Sequence, residues 1–96
     1  TALRAALEGV VGFHGHNNLS LAVTNSLEAI KCGASMIDGC AKGFGAGAGN
    51  TQLEPLIALC GRLGYDTGVD LYKMLDASDV AKTFIDEIPT IDPQVL

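Results

Sequence analysis

The stretch VVGFHGHNN, residues 10–18, decides the fold. It opens with four apolar or small residues that show no alternation and closes with polar side chains, among them His14 and His16. A short apolar run without alternation is typical of a strand that a parallel sheet buries on both faces. The sequence therefore predicts a buried strand whose carboxyl end carries two histidines.

A helical pattern and a second short strand follow. Apolar residues recur at helical spacing over residues 19–30, an asparagine precedes them as a possible N-cap, and Gly33 provides a stop. Residues 35–40 are again short and mostly apolar. Strand, helix and strand in this order predict a right-handed parallel crossover, and hence an α/β fold.

The stretch GFGAGAGN, residues 43–50, contains four glycines in its first seven positions and is predicted to be a loop. It precedes a helix N-terminus, where free N–H groups and the helix dipole attract anions. The dinucleotide pattern G-x-G-x-x-G fails here, and no G-K-[ST] follows. Two interpretations stay open: an anion-binding loop, or a turn that lets the backbone pass close to a substrate or a neighbouring helix. Asn50 fits a helix cap, a polar contact in a site, or both.

Two more helices are predicted after this loop. Thr51 and Glu54 have the spacing of a capping box, and apolar residues continue at helical spacing from Leu53 to Leu63. With Thr51 as the cap, Pro55 falls at the fourth helical position. Residues 67–70 offer another cap before a helical pattern that continues to residue 88. The remaining residues contain two prolines and no periodicity, so an extended segment is expected there.

The length and composition point to a part of a larger assembly. The 96 residues suffice for one small domain, whereas a complete eight-stranded α/β barrel needs roughly 250. Hydrophobic residues make up 48% of the chain and charged residues 18%, while a charged share of about 25% is typical. Since so short a chain buries only about 60% of its unfolded surface, we expect another segment or chain to cover part of its apolar surface.

The charge and hydropathy of the sequence argue against nucleic-acid and membrane partners. Eleven acidic against six basic residues give a net charge of −5, and Lys and Arg form no cluster, which argues against binding to nucleic acid. No apolar run approaches the roughly 18 residues of a membrane span, and no signal peptide is recognisable, so no membrane partner is expected. The three cysteines lack C-x-x-C spacing, which fits a reducing compartment. The sequence predicts a soluble, cytoplasmic protein.

His14 and His16 are candidate metal ligands. Residues at i and i+2 of a strand point to the same side, about 6.5 Å apart along the chain. Imidazole binds transition-metal ions, but a site needs at least one further ligand, usually a carboxylate. The alternative is that both histidines merely finish a strand with local hydrogen bonds. Their position favours a site, because parallel α/β sheets bind ligands at the carboxyl ends of their strands.

Asp38 and Cys40 lie on the same face of the second predicted strand. A carboxylate buried in an apolar strand is costly without a partner, so Asp38 is predicted to have a specific one, in a structural rather than a catalytic role. Cys40 is predicted to be a small buried apolar residue, because no neighbouring base in the sequence would activate its thiol.

Three segments together, residues 12–23, 37–39 and 45–51, closely resemble the 4-hydroxy-2-oxovalerate (4-hydroxy-2-oxoacid) aldolases of aromatic and steroid ring degradation. These are metal-dependent TIM-barrel pyruvate aldolases, in a wider group that includes hydroxymethylglutaryl-CoA lyase. The resemblance implies that residues 1–67 are the last two βα units of the barrel. Residues 68–96 would then begin a C-terminal helical domain that docks an acylating acetaldehyde dehydrogenase.

The same resemblance implies the site. His14 and His16 would bind a divalent ion, most often Mn²⁺, with an aspartate from the first barrel strand, which lies outside these residues. Asn17 and Asn50 would contact the substrate or support the ligands. The implied reaction is retro-aldol cleavage of 4-hydroxy-2-oxovalerate to pyruvate and acetaldehyde. The family's catalytic histidine and tyrosine also lie outside this chain, so no catalytic residue is assigned within it, and the 96 residues alone are expected to be inactive.

Two alternatives stay open. One is a related acyl-CoA enzyme of the isopropylmalate synthase or hydroxymethylglutaryl-CoA lyase type. The condensing synthases tend to have His-x-His-Asn-Asp and a Gly-Glu-Arg loop, whereas this chain has Asn18 and Gly45-Ala46-Gly47. The other alternative is a non-catalytic structural fragment.

Overall fold

The computed structural model describes residues 9–45 and 47–83. Its elements are β1 (Gly12–His14), α1 (Ala22–Lys31), β2 (Met36–Asp38), α2 (Leu53–Arg62) and α3 (Leu71–Thr83), with 3₁₀ turns at Asn18–Ser20 and Ala41–Gly43. The predicted order of strands and helices is confirmed. The predicted extended segment after residue 88 lies outside the described residues. None of the described helices is long and apolar enough to cross a membrane.

The two strands pair in parallel, as the crossover prediction requires. The register sets Phe13 beside Ile37 and His14 beside Asp38. Beyond the strands, isolated bridges join His16 to Asn50 and Cys40 to Gln52. The residues that follow the glycine-rich loop are thus held against both strand ends.

The prediction that the first strand is buried on both faces is wrong for the described residues. In both strands the central residue is half-buried and the two outer residues are exposed. Val10 and Met36 keep 70% and 58% of their surface exposed. Parallel strands are covered on both faces only when helices or further strands lie on each side, and the described helices cover one side.

The core lies between the sheet and the helices. Its buried apolar side chains belong mainly to α2, which packs against both α1 and α3. The buried apolar residues are Ala22, Ala48, Leu56, Ile57 and Cys60. Buried among them are polar side chains, of which Ser26 and Thr51 have no exposed surface.

Helix α1 begins later than its apolar pattern predicts. Leu19 and Ser20 have φ angles of 55° and 60°, which belong to a turn and not to a right-handed helix. The predicted asparagine N-cap is wrong, because Leu21 holds the N-cap position without a side-chain hydrogen bond. The side-chain oxygen of Asn17, five residues before the helix begins, accepts a hydrogen bond from the Ala22 backbone N–H at 3.3 Å. Gly33, with φ of +106°, follows the end of the helix as predicted.

The capping box predicted for α2 is wrong. The N-cap position is held by Gln52 without a side-chain hydrogen bond, so Pro55 is the third helical residue and not the fourth. Thr51 and Glu54 instead bond to distant parts of the chain, since these tertiary partners compete with the local cap. At α3 the predicted cap is confirmed: Asp70 accepts a hydrogen bond from the Lys73 backbone N–H at 3.1 Å.

Candidate metal site at the strand ends

The imidazole rings of His14 and His16 lie side by side at the end of β1. Both residues are exposed, their ring centres are 5.1 Å apart, and the ring planes make an angle of 78°. A metal–nitrogen distance of about 2.1 Å, plus roughly 1.1 Å from nitrogen to ring centre, places the centres of two rings on one ion about 4.5 Å apart for a right angle and about 5.2 Å for a tetrahedral angle. The observed separation lies between these values, so the pair fits a shared cation.

Gly15, between the histidines, is held from two sides. A Cβ at this position would lie 2.9 Å from the Phe13 ring and 3.1 Å from the Thr51 hydroxyl. The Gly15 carbonyl accepts a hydrogen bond from the Thr51 backbone N–H at 3.2 Å. A side chain at this position would therefore displace the Phe13 ring or the Thr51 hydroxyl.

Asp38 lies beside His14 on the neighbouring strand. Its Oδ2 is 3.6 Å from Nδ1 of His14, and the two side chains are 67% and 47% exposed, respectively. The expectation of a buried carboxylate is wrong, because the outer face of the strand pair is open. The expectation of a specific partner is met by His14, at a distance that suits an ion pair but is too long for a hydrogen bond.

Asn50 closes the glycine-rich loop next to His16. Its Nδ2 donates to the backbone carbonyl of Phe44 at 3.1 Å and to the sulfur of Cys40 at 3.2 Å. A Cβ at Gly45 would overlap this amide. The loop thus wraps tightly around the Asn50 side chain. Cys40 is half-buried and accepts a hydrogen bond, and is not the fully buried apolar residue that the sequence predicts.

Asn17 connects the strand tip to its surroundings. The residue is only 7% exposed, and its backbone N–H donates to the Gly49 carbonyl at 2.8 Å, while its side-chain oxygen accepts from the backbone N–H of Ala22, the first residue of α1. These contacts hold the segment after His16 against both the helix and the glycine-rich loop.

Three polar residues that support the site were missed from the sequence. Thr51 and Ser26 form a buried hydroxyl pair behind Gly15. Both carboxylate oxygens of Glu54 accept from the backbone N–H of Lys42 at 2.8 Å, and one also accepts from the Ser78 hydroxyl at 3.1 Å. The one signal for Ser26 is a polar residue on an otherwise apolar helix face. Thr51 and Glu54 gave the competing signal of a helix cap.

The described residues contain no complete metal site. Among residues 9–45 and 47–83, no group of three or more His, Cys, Asp or Glu side chains is placed to hold one ion. His14 and His16 can supply two ligands, and the others must come from outside these residues.

A separate cavity of about 430 Å³ lies between β2 and the three helices. Its lining is mostly apolar and includes neither histidine nor Asn50, so the strand-end site and this cavity are distinct. The lining includes Ile30, Ile37, Leu56, Ile57, Cys60 and Met74.

Comparison with known proteins points to one group. The model of the HMGL-like family matches residues 1–81. A 4-hydroxy-2-oxovalerate aldolase of Pectobacterium atrosepticum is 62% identical over 84 residues, which cover 86% of this chain and 24% of that protein. One of Streptomyces tendae is 55% identical over 92 residues, covering 95% and 26%. The chain spans about a quarter of the length of these curated relatives.

Two solved structures share the fold. The N-terminal domain of a proposed aldolase from Bacteroides vulgatus superposes with a TM-score of 0.72 at 34% identity, covering 85% of this chain and 27% of that one. The HMG-CoA lyase of Bacillus subtilis gives 0.78 at 25% identity, covering 98% and 34%. The prediction of an α/β chain that forms part of a TIM barrel is thereby confirmed.

Proposed function

Since this chain belongs to the HMGL-like family, we propose that it forms the histidine-bearing quarter of an aldolase that cleaves 4-hydroxy-2-oxovalerate to pyruvate and acetaldehyde. The observation that carries the proposal is the pair of imidazoles 5.1 Å apart at the end of β1, in a chain 62% identical to part of a protein of that name. The carboxyl end of a barrel strand is where such enzymes place their active sites.

The proposed cofactor is a divalent cation, with Mn²⁺ as the ion of choice. His14 and His16 would hold it, and a carboxylate from outside the described residues would complete its ligands. When bound, such a cation polarises the 2-oxo group and stabilises the negative charge of the pyruvate enolate. Imidazole pairs suit this task because neutral nitrogen ligands leave the ion its positive charge.

The residues of this chain would bind the cation and orient the substrate. Gly15 and Thr51 hold the spacing of the two imidazoles. Asn50 is held by its Nδ2, so that its side-chain oxygen has no hydrogen-bond partner among the described residues and is available to a ligand. Asn17 supports the segment after His16. The base that removes the 4-hydroxyl proton is assigned outside this chain, and no catalytic residue is proposed within it.

The proposed domain organisation divides the chain at residue 67. Residues 1–67 would belong to the barrel, and residues 68–96 would begin a helical domain that docks an acylating acetaldehyde dehydrogenase. Two observations support a boundary here. Residues 61–70 are exposed throughout, and α3 presents Tyr72 and Val80 to solvent with 79% and 56% of their surface exposed. A small 2-oxo acid substrate and a cytoplasmic location complete the proposal.

A second candidate is an acyl-CoA lyase, favoured by the superposition on HMG-CoA lyase. The higher identity to proteins named aldolases makes the aldolase the better-supported choice.

The test uses a chimera in which this chain replaces the matching quarter of the Pectobacterium atrosepticum aldolase. We expect Mn²⁺-dependent release of pyruvate from 4-hydroxy-2-oxovalerate, measured with lactate dehydrogenase as the coupling enzyme. His14→Ala and His16→Ala should each abolish turnover and tight Mn²⁺ binding while leaving the fold intact by circular dichroism. A folded chimera that releases acetoacetate from HMG-CoA and no pyruvate would establish the lyase alternative. Unchanged metal content in both histidine variants would refute the metal site.

A further inference from the structure

We propose that Asp38 is a positioning residue for His14: its carboxylate holds the imidazole with the proton on Nδ1, so that Nε2 faces the cation. This inference rests on the proposed function, because it assigns a role to a neighbour of a proposed ligand. It adds a residue that would touch neither substrate nor cation.

The strand register places the two side chains together. His14 and Asp38 are register partners on adjacent parallel strands, at the carboxyl end of each, and therefore project from the same face of the sheet. The Oδ2 of Asp38 lies 3.6 Å from Nδ1 of His14, and this carboxylate has no other ion-pair partner among residues 9–45 and 47–83. A shift of about 0.7 Å would bring the pair to hydrogen-bond distance. The torsions of two exposed side chains can supply that shift.

The chemistry of neutral imidazole makes this contact directional. One ring nitrogen carries the proton and the other binds a metal, and the hydrogen bond made by the first decides which is which. A carboxylate beside Nδ1 favours the proton there, orients the ring and makes Nε2 a stronger ligand.

Two observations separate this role from others. Asp38 is not placed as a third ligand, because the described residues hold no three-membered His, Cys, Asp or Glu group suited to one ion. No described carboxylate lies within ion-pair distance of His16. The proposed effect therefore acts on one of the two histidines, which makes His16 an internal reference.

The first measurement is metal affinity in the chimera described above, by titration with Mn²⁺ followed by its electron paramagnetic resonance signal. We expect Asp38→Ala to weaken binding by about 10- to 100-fold, the usual loss when such a supporting carboxylate is removed. Asp38→Asn keeps an acceptor oxygen without the charge and should lie between wild type and Asp38→Ala. Asp76→Ala, on the exposed surface of α3, removes an equal charge and should bind as wild type. Equal affinity of Asp38→Ala and wild type, or equal losses in the Asp38→Ala and Asp76→Ala variants, would overturn the proposal.

The second measurement needs no metal. In metal-free chimera labelled with ¹⁵N-histidine, long-range ¹H–¹⁵N spectra distinguish the two tautomers of each ring. The spectra are compared at a pH where both rings are neutral. In wild type we expect His14 to carry its proton on Nδ1. In Asp38→Ala we expect His14 to shift toward the Nε2–H form, whereas the tautomer of His16 should stay unchanged. The tautomer of His14 can be measured even if no variant binds Mn²⁺. Absence of Mn²⁺ binding in every variant would refute the proposed metal site, and it would leave this second test intact. An unchanged His14 tautomer would overturn the positioning role even if the metal site stands.

Discussion

The hydroxyl of Thr51 lies 3.0 Å from the hydroxyl of Ser26, with both side chains fully buried. The Ser26 hydroxyl also lies 2.7 Å from its acceptor, the Ala22 carbonyl, and the Thr51 hydroxyl lies 3.5 Å from the Gly15 carbonyl, so either hydroxyl can be the donor between the two. The backbone of Thr51 bonds at the same time to the carbonyl of Gly15. One buried threonine thus joins α1, the tip of β1 and the start of α2 behind the two histidines.

Replacing Thr51 by Val should destabilise the protein. The variant nearly keeps the shape of the side chain but leaves the buried Ser26 hydroxyl without its hydroxyl partner, a change that costs about 1–3 kcal/mol. Urea unfolding of the chimera should show this loss in the free energy of unfolding, and Thr51→Ser should recover most of it. A Thr51→Val variant as stable as wild type would show that the hydroxyl pair contributes nothing.

Replacing Gly45 by Ala should damage the site. The new methyl group would overlap the Asn50 amide, which must then leave its contacts with Phe44 and Cys40. We expect a loss of pyruvate release in the chimera. Gly61→Ala is the matched control. Gly61 lies in α2, and a Cβ at this position would meet no atom within 4 Å. Since alanine favours a helix over glycine by roughly 0.5–1 kcal/mol, this control should be active and slightly more stable. Equal activity of both variants would refute a role for the tight packing around Asn50.

Glu54→Gln should loosen the turn after β2. The Glu54 carboxylate accepts a hydrogen bond from the Lys42 backbone N–H. The Lys42 backbone has a left-handed φ of 54°, which residues other than glycine rarely adopt. A hydrogen bond to a charged acceptor is worth about 1.5–3 kcal/mol, and the amide retains part of this. Hydrogen exchange at the Lys42 amide should become faster, whereas Glu28→Gln on the exposed side of α1 should leave it unchanged. Exchange that is equally slow in both variants would contradict this assignment.

Cys60 should make the fold sensitive to alkaline pH. Burial raises the pKa of its thiol above the ordinary value of 9.0, because the thiolate loses its hydration. The folded state therefore favours the protonated thiol, which contributes stability below the ordinary pKa and loses it as the pH rises through the higher folded value. We expect the melting temperature of wild type to fall more steeply above pH 9 than that of Cys60→Ala, with Cys32→Ala behaving as wild type. Parallel curves for wild type and Cys60→Ala would show that folding leaves the pKa of this thiol unchanged.

Much of the fold can be predicted from the sequence because its signals are local. The order of strand, helix and strand follows from the unalternating run before His14 and the helical spacing after it, and the Asp70 cap follows from a polar group close in the sequence. The assignments of Asp38 and Thr51 failed for a common reason. Whether a polar side chain is buried, and with which partner, depends on segments distant in the chain.

The sequence alone determined that the two histidines stand together at a strand end, since side chains two residues apart in a strand project from the same face. Only the tertiary structure decided what surrounds them. The parallel register brings Asp38 beside His14, and the packing of α1 against α2 closes Ser26 and Thr51 away from water. A buried hydroxyl must bond to whatever the fold brings near it, and a preference read from neighbouring residues cannot specify that partner.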